Sequence, residues 1–231
     1  MRSGADSGAP LRRDLADAVR LLADGGLVAF PTETVWGLAA RSDCDGALQA
    51  LRRWKGRAAD RPVALLVTDL DAAREAGAEP GEAAAALAAA FWPGPLTLVV
   101  PARSASGAQR HSGRAGVGLR CSPHPVARGL AEAARAAGLA PLTATSLNRS
   151  GEAPAASRAA ARALCDSGAA QAGPRLLASG CDAGGAPPST VVEAGAGLRI
   201  LREGAIAVEA IERVWRAVRG ARAATQRPQR G

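Results

Sequence analysis

The 231-residue chain contains no tyrosine, one lysine, one asparagine and one methionine. Aromatic residues make up 3% of a chain that is 48% hydrophobic, so its core must be built from alanine, valine and leucine rather than from rings. The four cysteines, at 44, 121, 165 and 181, have no C-x-x-C spacing, and the two histidines, His111 and His124, are not clustered. That argues against zinc and against a disulfide framework, and reduced thiols in a cytoplasmic setting are the expectation. Residues 1–10 lack the charged-then-apolar plan of a signal peptide. The long apolar stretch at 83–100 is mostly alanine and is broken by Pro93, Gly94 and Pro95, which excludes a membrane span there. No serine or cysteine nucleophile constellation is present, and nothing forms a dedicated metal cage.

What the chain does have is positive charge, with 29 Lys plus Arg against 21 Asp plus Glu. Five arginines and no acids lie between 216 and 231, so most of the net +8 belongs to a tail. The remaining body suits an anionic ligand better than an extended nucleic-acid platform. Arginine has replaced lysine nearly everywhere, so the surviving Lys55 is either a leftover or a position where a compact ammonium is required.

The pattern predicts alternating helices and strands. Helices are expected over 11–24, 45–54, 70–76, 81–91, 123–137, 157–165 and 208–218, from apolar residues at helical spacing and from caps at Asp45 and Ser157. Strands are expected over 27–30, 63–67, 96–100, 116–120 and 142–145, and around Leu176, Thr190 and Ile200. Residues 103–114 read as a Gly/Ser/Arg loop. The resulting fold is a single α/β domain over 11–215, a twisted mixed sheet flanked by helices with a positively charged cleft, between a disordered leader (1–10) and a disordered arginine-rich tail (216–231).

The segment 27–38, L-V-A-F-P-T-E-T-V-W-G-L, places Thr32, Glu33 and Thr34 after a strand ended by Pro31. Thr34 is positioned to cap a helical turn through 35–38, beside a strand's carboxyl end, where open α/β sheets bind ligands. Lys55 and Arg57 flank Gly56 just past a helix, a pair suited to polyphosphate and equally readable as a solvated helix end. Ser146 and Asn148, in T-S-L-N-R-S-G, offer a hydroxyl and an amide on a turn.

F-P-T-E-T-V-W-G-L, K-G-R at 55–57 and S-L-N at 146–148 resemble the YrdC/Sua5 family. So do W-P-G-P-L-T at 92–97, V-G-L-R at 117–120, S-T-V-V at 189–192 and I-L-R-E-G at 200–204, seven motifs in order over nearly the whole chain. The resemblance implies a short-form L-threonylcarbamoyladenylate synthase using ATP with Mg2+, L-threonine and bicarbonate, and serving the t6A modification of tRNA through threonylcarbamoyl transferase proteins. It implies Lys55 and Arg57 as catalytic, with Ser146, Asn148 and Arg202 also on ATP. Thr32, Arg120 and Ser189 fall to threonine, with Thr34 and Thr190 as weaker candidates. Glu33 is left between a metal, an orienting role and a structural one, and His124 reads as structural. Trp36 stands where tyrosine is usual, Ala58 and Glu203 where proline is, Leu66 where histidine is, and Gly116 where threonine is frequent. These departures keep open another carbamoyl acceptor, or a non-catalytic paralogue that binds tRNA or double-stranded RNA.

Overall fold

The computed structural model describes residues 9–58, 61–103, 116–167, 173–177 and 182–225, with side chains to 220. In order, the elements are α1 (Ala9–Ala23), β1 (Val28–Phe30), β2 (Gly37–Ala39), α2 (Asp45–Lys55), β3 (Leu65–Leu66), α3 (Leu70–Glu75), α4 (Glu82–Phe91), β4 (Leu96–Val100) and β5 (Val117–Arg120). They continue with α5 (Pro125–Ala136), β6 (Leu142–Thr143), β7 (Thr145–Ser146), α6 (Arg158–Asp166), β8 (Arg175–Leu176), β9 (Thr190–Ala194), β10 (Leu198–Arg202) and α7 (Val208–Thr225). His111, Cys181 and the 104–114 part of the expected loop lie outside the described residues, as do 1–8 and 226–231.

The expected single sheet is two. A four-stranded sheet runs β7-β2-β1-β8 and a six-stranded one runs β10-β9-β4-β5-β3-β6, both with parallel and antiparallel pairs. The split falls at Ala144, where the expected strand 142–145 breaks. Leu142 and Thr143 pair with β3, whereas Thr145 and Ser146 pair with β2.

Two-residue alternation explains how the larger sheet carries both a core and a site. Leu96, Leu98 and Val100 of β4 pack into one buried cluster with Val117, Leu119, Val192 and the inner residues of α3, α4 and α7. The intervening Thr97, Val99, Gly118, Arg120 and Val191 line a pocket on the opposite face. In the smaller sheet, Val28 and Phe30 turn toward α1 and α5, while Ala29, Trp36 and Leu38 turn toward α2 and α6.

Two local expectations fail for identifiable reasons. Thr34 caps no helix. Residues 37–39 return as a strand, with Phe30 opposite Gly37, so T-E-T-V-W is a hairpin loop instead of a strand-to-helix junction. The packing of Phe30 decides this, because its ring sits where a Cβ on Gly37 would be. The closing helix also runs on to Thr225, so the first part of the expected arginine-rich tail is helical.

Gly116 has φ +116, and a Cβ there would run into the carbonyl oxygen of Val100 across the β4–β5 edge. Gly116→Thr is expected to destabilise the fold by at least about 2 kcal/mol, since this backbone region is essentially reserved for glycine. Thermal unfolding should record a fall in Tm of about 6 °C, and an unchanged Tm would mean that the strand edge yields freely.

Candidate active site

A pocket of about 470 Å3 opens between the two sheets. Thr32, Arg57, Arg120, Ser146, Ser189 and Arg202 all line it, so most of the residues singled out in the sequence converge. Lys55 and Asn148 do not. They stand behind the wall, joined to each other.

Lys55 ends α2. Gly56 takes the left-handed cap conformation (φ 63, ψ 37), and the helix closes with Gly56 N–H donating to Arg53 O and Arg57 N–H to Arg52 O. The reversal turns Lys55 inward and sends Arg57 to the pocket. The Lys55 ammonium is 2% exposed and donates to Asn148 Oδ1 at 2.9 Å, to Asn148 O at 3.1 Å and to Ser146 O. Ser146 Oγ donates to Asn148 Oδ1 at 2.6 Å. The Asn148 amide donates to Arg149 O and Glu152 O at 2.9 and 2.7 Å. The sole lysine and sole asparagine therefore form one knot that sets the S-L-N turn. Burial, helped by the neighbouring Arg57 charge, pushes the Lys55 ammonium down to about 8.

Arg57 donates to Pro62 O at 2.7 Å, and its buried Nε has no partner among the described residues. Burial and then the charges of Arg61 and Arg52 lower its pKa, so this guanidinium sits among like charges and favours an anion. Arg120, at the end of β5, donates to Gly94 O, to Cys121 O at 3.2 Å and to Glu33 Oε1. Ser122 Oγ donates to the other oxygen of Glu33. Burial pushes Arg120 down to about 10, with Arg202 acting in the same direction, so it stays charged at neutral pH. Glu33 thus orients Arg120, one of the alternatives its sequence context left open.

Thr32 Oγ1 donates to Val35 O at 2.7 Å and lies 2.9 Å from Thr34 Oγ1, a local turn that shapes the loop from within. Ser189 Oγ pairs with Thr97 Oγ1 at 2.8 Å, and Arg202 folds onto the Ser189 carbonyl at 2.8 Å. The register of β10 shifts between Ile200 and Arg202, and both Leu201 and Arg202 reach the pocket mouth. Thr190 is held elsewhere, donating to Ile206 O at 2.7 Å.

His124 is structural. Its Nδ1 accepts from Val126 N at 3.2 Å and caps α5, and burial lowers its pKa, keeping the ring neutral. Cys121 is an inert thiol, pushed up to about 11 by burial. Ser122 and Pro62 carried no signal in the sequence, because Ser122 meets Glu33 across 89 residues and Pro62 takes part only through its backbone carbonyl.

These features define a class, mixed-sheet α/β proteins whose ligand pocket lies between two sheets and is edged by guanidinium and hydroxyl groups. Residues 20–204 match the Sua5/YciO/YrdC family, described as "Telomere recombination", and the chain belongs to it. Threonylcarbamoyl-AMP synthase of Chromohalobacter salexigens is 36% identical over 177 residues, covering 77% of this chain and 90% of the relative. The protein of that name from Xanthomonas campestris pv. campestris (strain B100) is 37% identical over 153 residues, covering 65% and 80%. Sua5 of P. abyssi, solved in complex with L-threonine, has a TM-score of 0.74 at 31% identity. That match covers 87% of this chain and 56% of the P. abyssi chain. YciO of E. coli, at 20% identity and a TM-score of 0.70 over 86% of this chain and 92% of its own, shares the fold.

Proposed function

We propose that the protein is an L-threonylcarbamoyladenylate synthase, a nucleotidyltransferase that makes threonylcarbamoyl-AMP for t6A in tRNA and hands it to a threonylcarbamoyl transferase. The observation that carries this reading is the Lys55–Asn148 contact, which ties K-G-R to S-L-N at the edge of a pocket lined by four arginines, Arg57, Arg120, Arg199 and Arg202.

The threonine amine adds bicarbonate-derived CO2 to give a carbamate, with water and a proton leaving. A carbamate oxygen then attacks the α-phosphorus of ATP, and pyrophosphate departs. Such a step needs placement and charge neutralisation more than covalent help. Arg57 and Arg202 neutralise the triphosphate, Ser146 lines the wall beside it, and Lys55 adds a buried positive charge whose hydrogen-bond partners among the described residues are carbonyl and amide oxygens. Arg120 takes the threonine carboxylate, while Thr32 and Ser189 bound the side-chain end. Magnesium enters with the triphosphate. Among the described residues no three His, Cys, Asp or Glu side chains are grouped to hold a metal, and Glu33 is committed to Arg120 and Ser122. No step is assigned to the ion. Among the described residues no helix is long and apolar enough to cross a membrane.

Pyrophosphate release from ATP, measured with bicarbonate and a panel of amino acids, tests the reading. Threonine should support release and its neighbours should not. Equal release with another amino acid would assign a different acceptor. Absence of release, together with a salt-dependent RNA affinity that survives Lys55→Ala, would make the protein an RNA-binding module.

A further inference from the structure

Asp182 belongs to none of the motifs and does not line the pocket, yet several elements meet on it. Its Oδ1 accepts from the Trp36 indole at 2.9 Å and from Ala183 N at 2.8 Å. Its Oδ2 accepts from Arg158 N, at the start of α6, at 3.0 Å. Its carbonyl oxygen lies 3.1 Å from Nε2 of His124, the ring that caps α5. Two residues on, Gly184 and Gly185 donate to Thr32 O and Thr34 O at 2.9 and 3.0 Å. Gly184 passes so close over the Glu33 carbonyl that a Cβ would collide with it.

Segment 182–185 is therefore a strap across the T-E-T loop. The loop beneath carries Thr32 into the pocket and Glu33 onto Arg120. Trp36 extends the hold, since its carbonyl accepts from Leu147 N at 2.8 Å, inside the S-L-N turn.

We propose that Asp182 is the positioning residue for the amino-acid side of the pocket. Its carboxylate ties Trp36 to α6 and anchors the strap that fixes Thr32, Glu33 and, through Glu33, Arg120. The inference rests on the reading that this wall takes L-threonine. A carboxylate is required because an indole and two peptide N–H groups, all donors, must share its two oxygens, and an amide offers one acceptor oxygen. Partial burial raises the Asp182 pKa, but those N–H bonds outweigh it and hold the group below the usual carboxylate range.

The test uses the full-length chain carrying Asp182→Asn, Gly184→Ala or Trp36→Phe, with steady-state pyrophosphate release at varied threonine and varied ATP. The KM for threonine should rise at least about tenfold in each, while the KM for ATP stays within about twofold. Asp182→Ala, which removes both oxygens, combined with Trp36→Phe should be no worse than Asp182→Ala alone, because both remove the indole–carboxylate contact. Equal rises in both KM values, or an unchanged threonine KM in folded Asp182→Asn, overturn the proposal. An activity-independent readout is solvent exchange of the Trp36 indole proton, whose NMR signal is identified by its loss in Trp36→Phe. Exchange should quicken at least about tenfold in Asp182→Asn, and unchanged exchange overturns the strap whatever the kinetics. If the wild-type chain releases no pyrophosphate with threonine yet protects this indole through Asp182, the synthase reading fails and the strap stands.

Discussion

Lys55→Ala is expected to lower pyrophosphate release at least about a hundredfold, the loss typical of removing one preorganised group that stabilises developing charge. The ammonium satisfies Ser146 O, Asn148 O and Asn148 Oδ1 at once, so truncation takes this donor from Ser146 O and Asn148 O and leaves Asn148 Oδ1 with the Ser146 hydroxyl alone. Each buried acceptor left unpaired costs about 1–3 kcal/mol. Chemical denaturation should therefore register a loss of about 3 kcal/mol or more. Lys55→Arg should not rescue either quantity, because a planar fork cannot aim three donors at this arrangement. Wild-type turnover from Lys55→Arg would refute the need for an ammonium.

A pH profile gives an independent check. With Lys55 at about 8, the charged fraction falls as pH rises through 8, and a step that uses the charge declines on that basic limb. Stability moves the other way. The folded value lies below the unfolded one of about 10.4, so between the two the unfolded chain binds more protons and folding is favoured by rising pH. A decline in activity near pH 8 without loss of fold is the expected result, and a flat profile to pH 9.5 would contradict it.

Arg120→Ala should raise the KM for threonine about thirtyfold, equivalent to about 2 kcal/mol for a lost charge-paired contact. The KM for ATP should change far less, since Arg120 is bonded to Glu33, Gly94 and Cys121 and to no residue of the K-G-R or S-L-N turns. The variant should also be less stable. Glu33 and Ser122 would face a missing partner, as would the carbonyls of Gly94 and Cys121. Removing one member of a well-buried ion pair costs about 3 kcal/mol. Arg120→Lys separates the two effects: it can restore the charge near Glu33 but cannot also reach Gly94 and Cys121 in the same fork. A threonine KM that does not move in a folded Arg120 variant would transfer the carboxylate to another residue.

Local patterns made most elements legible. The strand 96–100 and the Ser157-capped helix appear as expected, with Ser157 Oγ accepting from Ala160 N at 3.2 Å. Helix α2 is capped one residue earlier than expected, at Cys44, with Asp45 inside the first turn. Sheet partition was not legible, because the break at Ala144 depends on which strands lie on either side. The hairpin at 30–37 is not legible for the same reason, as Phe30 closes over Gly37 only once both strands are present. In the site, rarity pointed to Lys55 and Asn148 and the structure joins them, but it turns them toward each other instead of into the pocket. Glu33 to Ser122 and Trp36 to Asp182 span 89 and 146 residues, separations at which no spacing rule operates.

The out-of-phase faces of β4, β5 and β9 carry a consequence for how this protein can change. Thr97, Val99 and Val191 can be exchanged without touching the residues that hold α3, α4 and α7 in place. Ligand preference is thus free to drift while thermal robustness is conserved. Laboratory diversification confined to these inward-facing sites should yield many soluble variants with altered appetites.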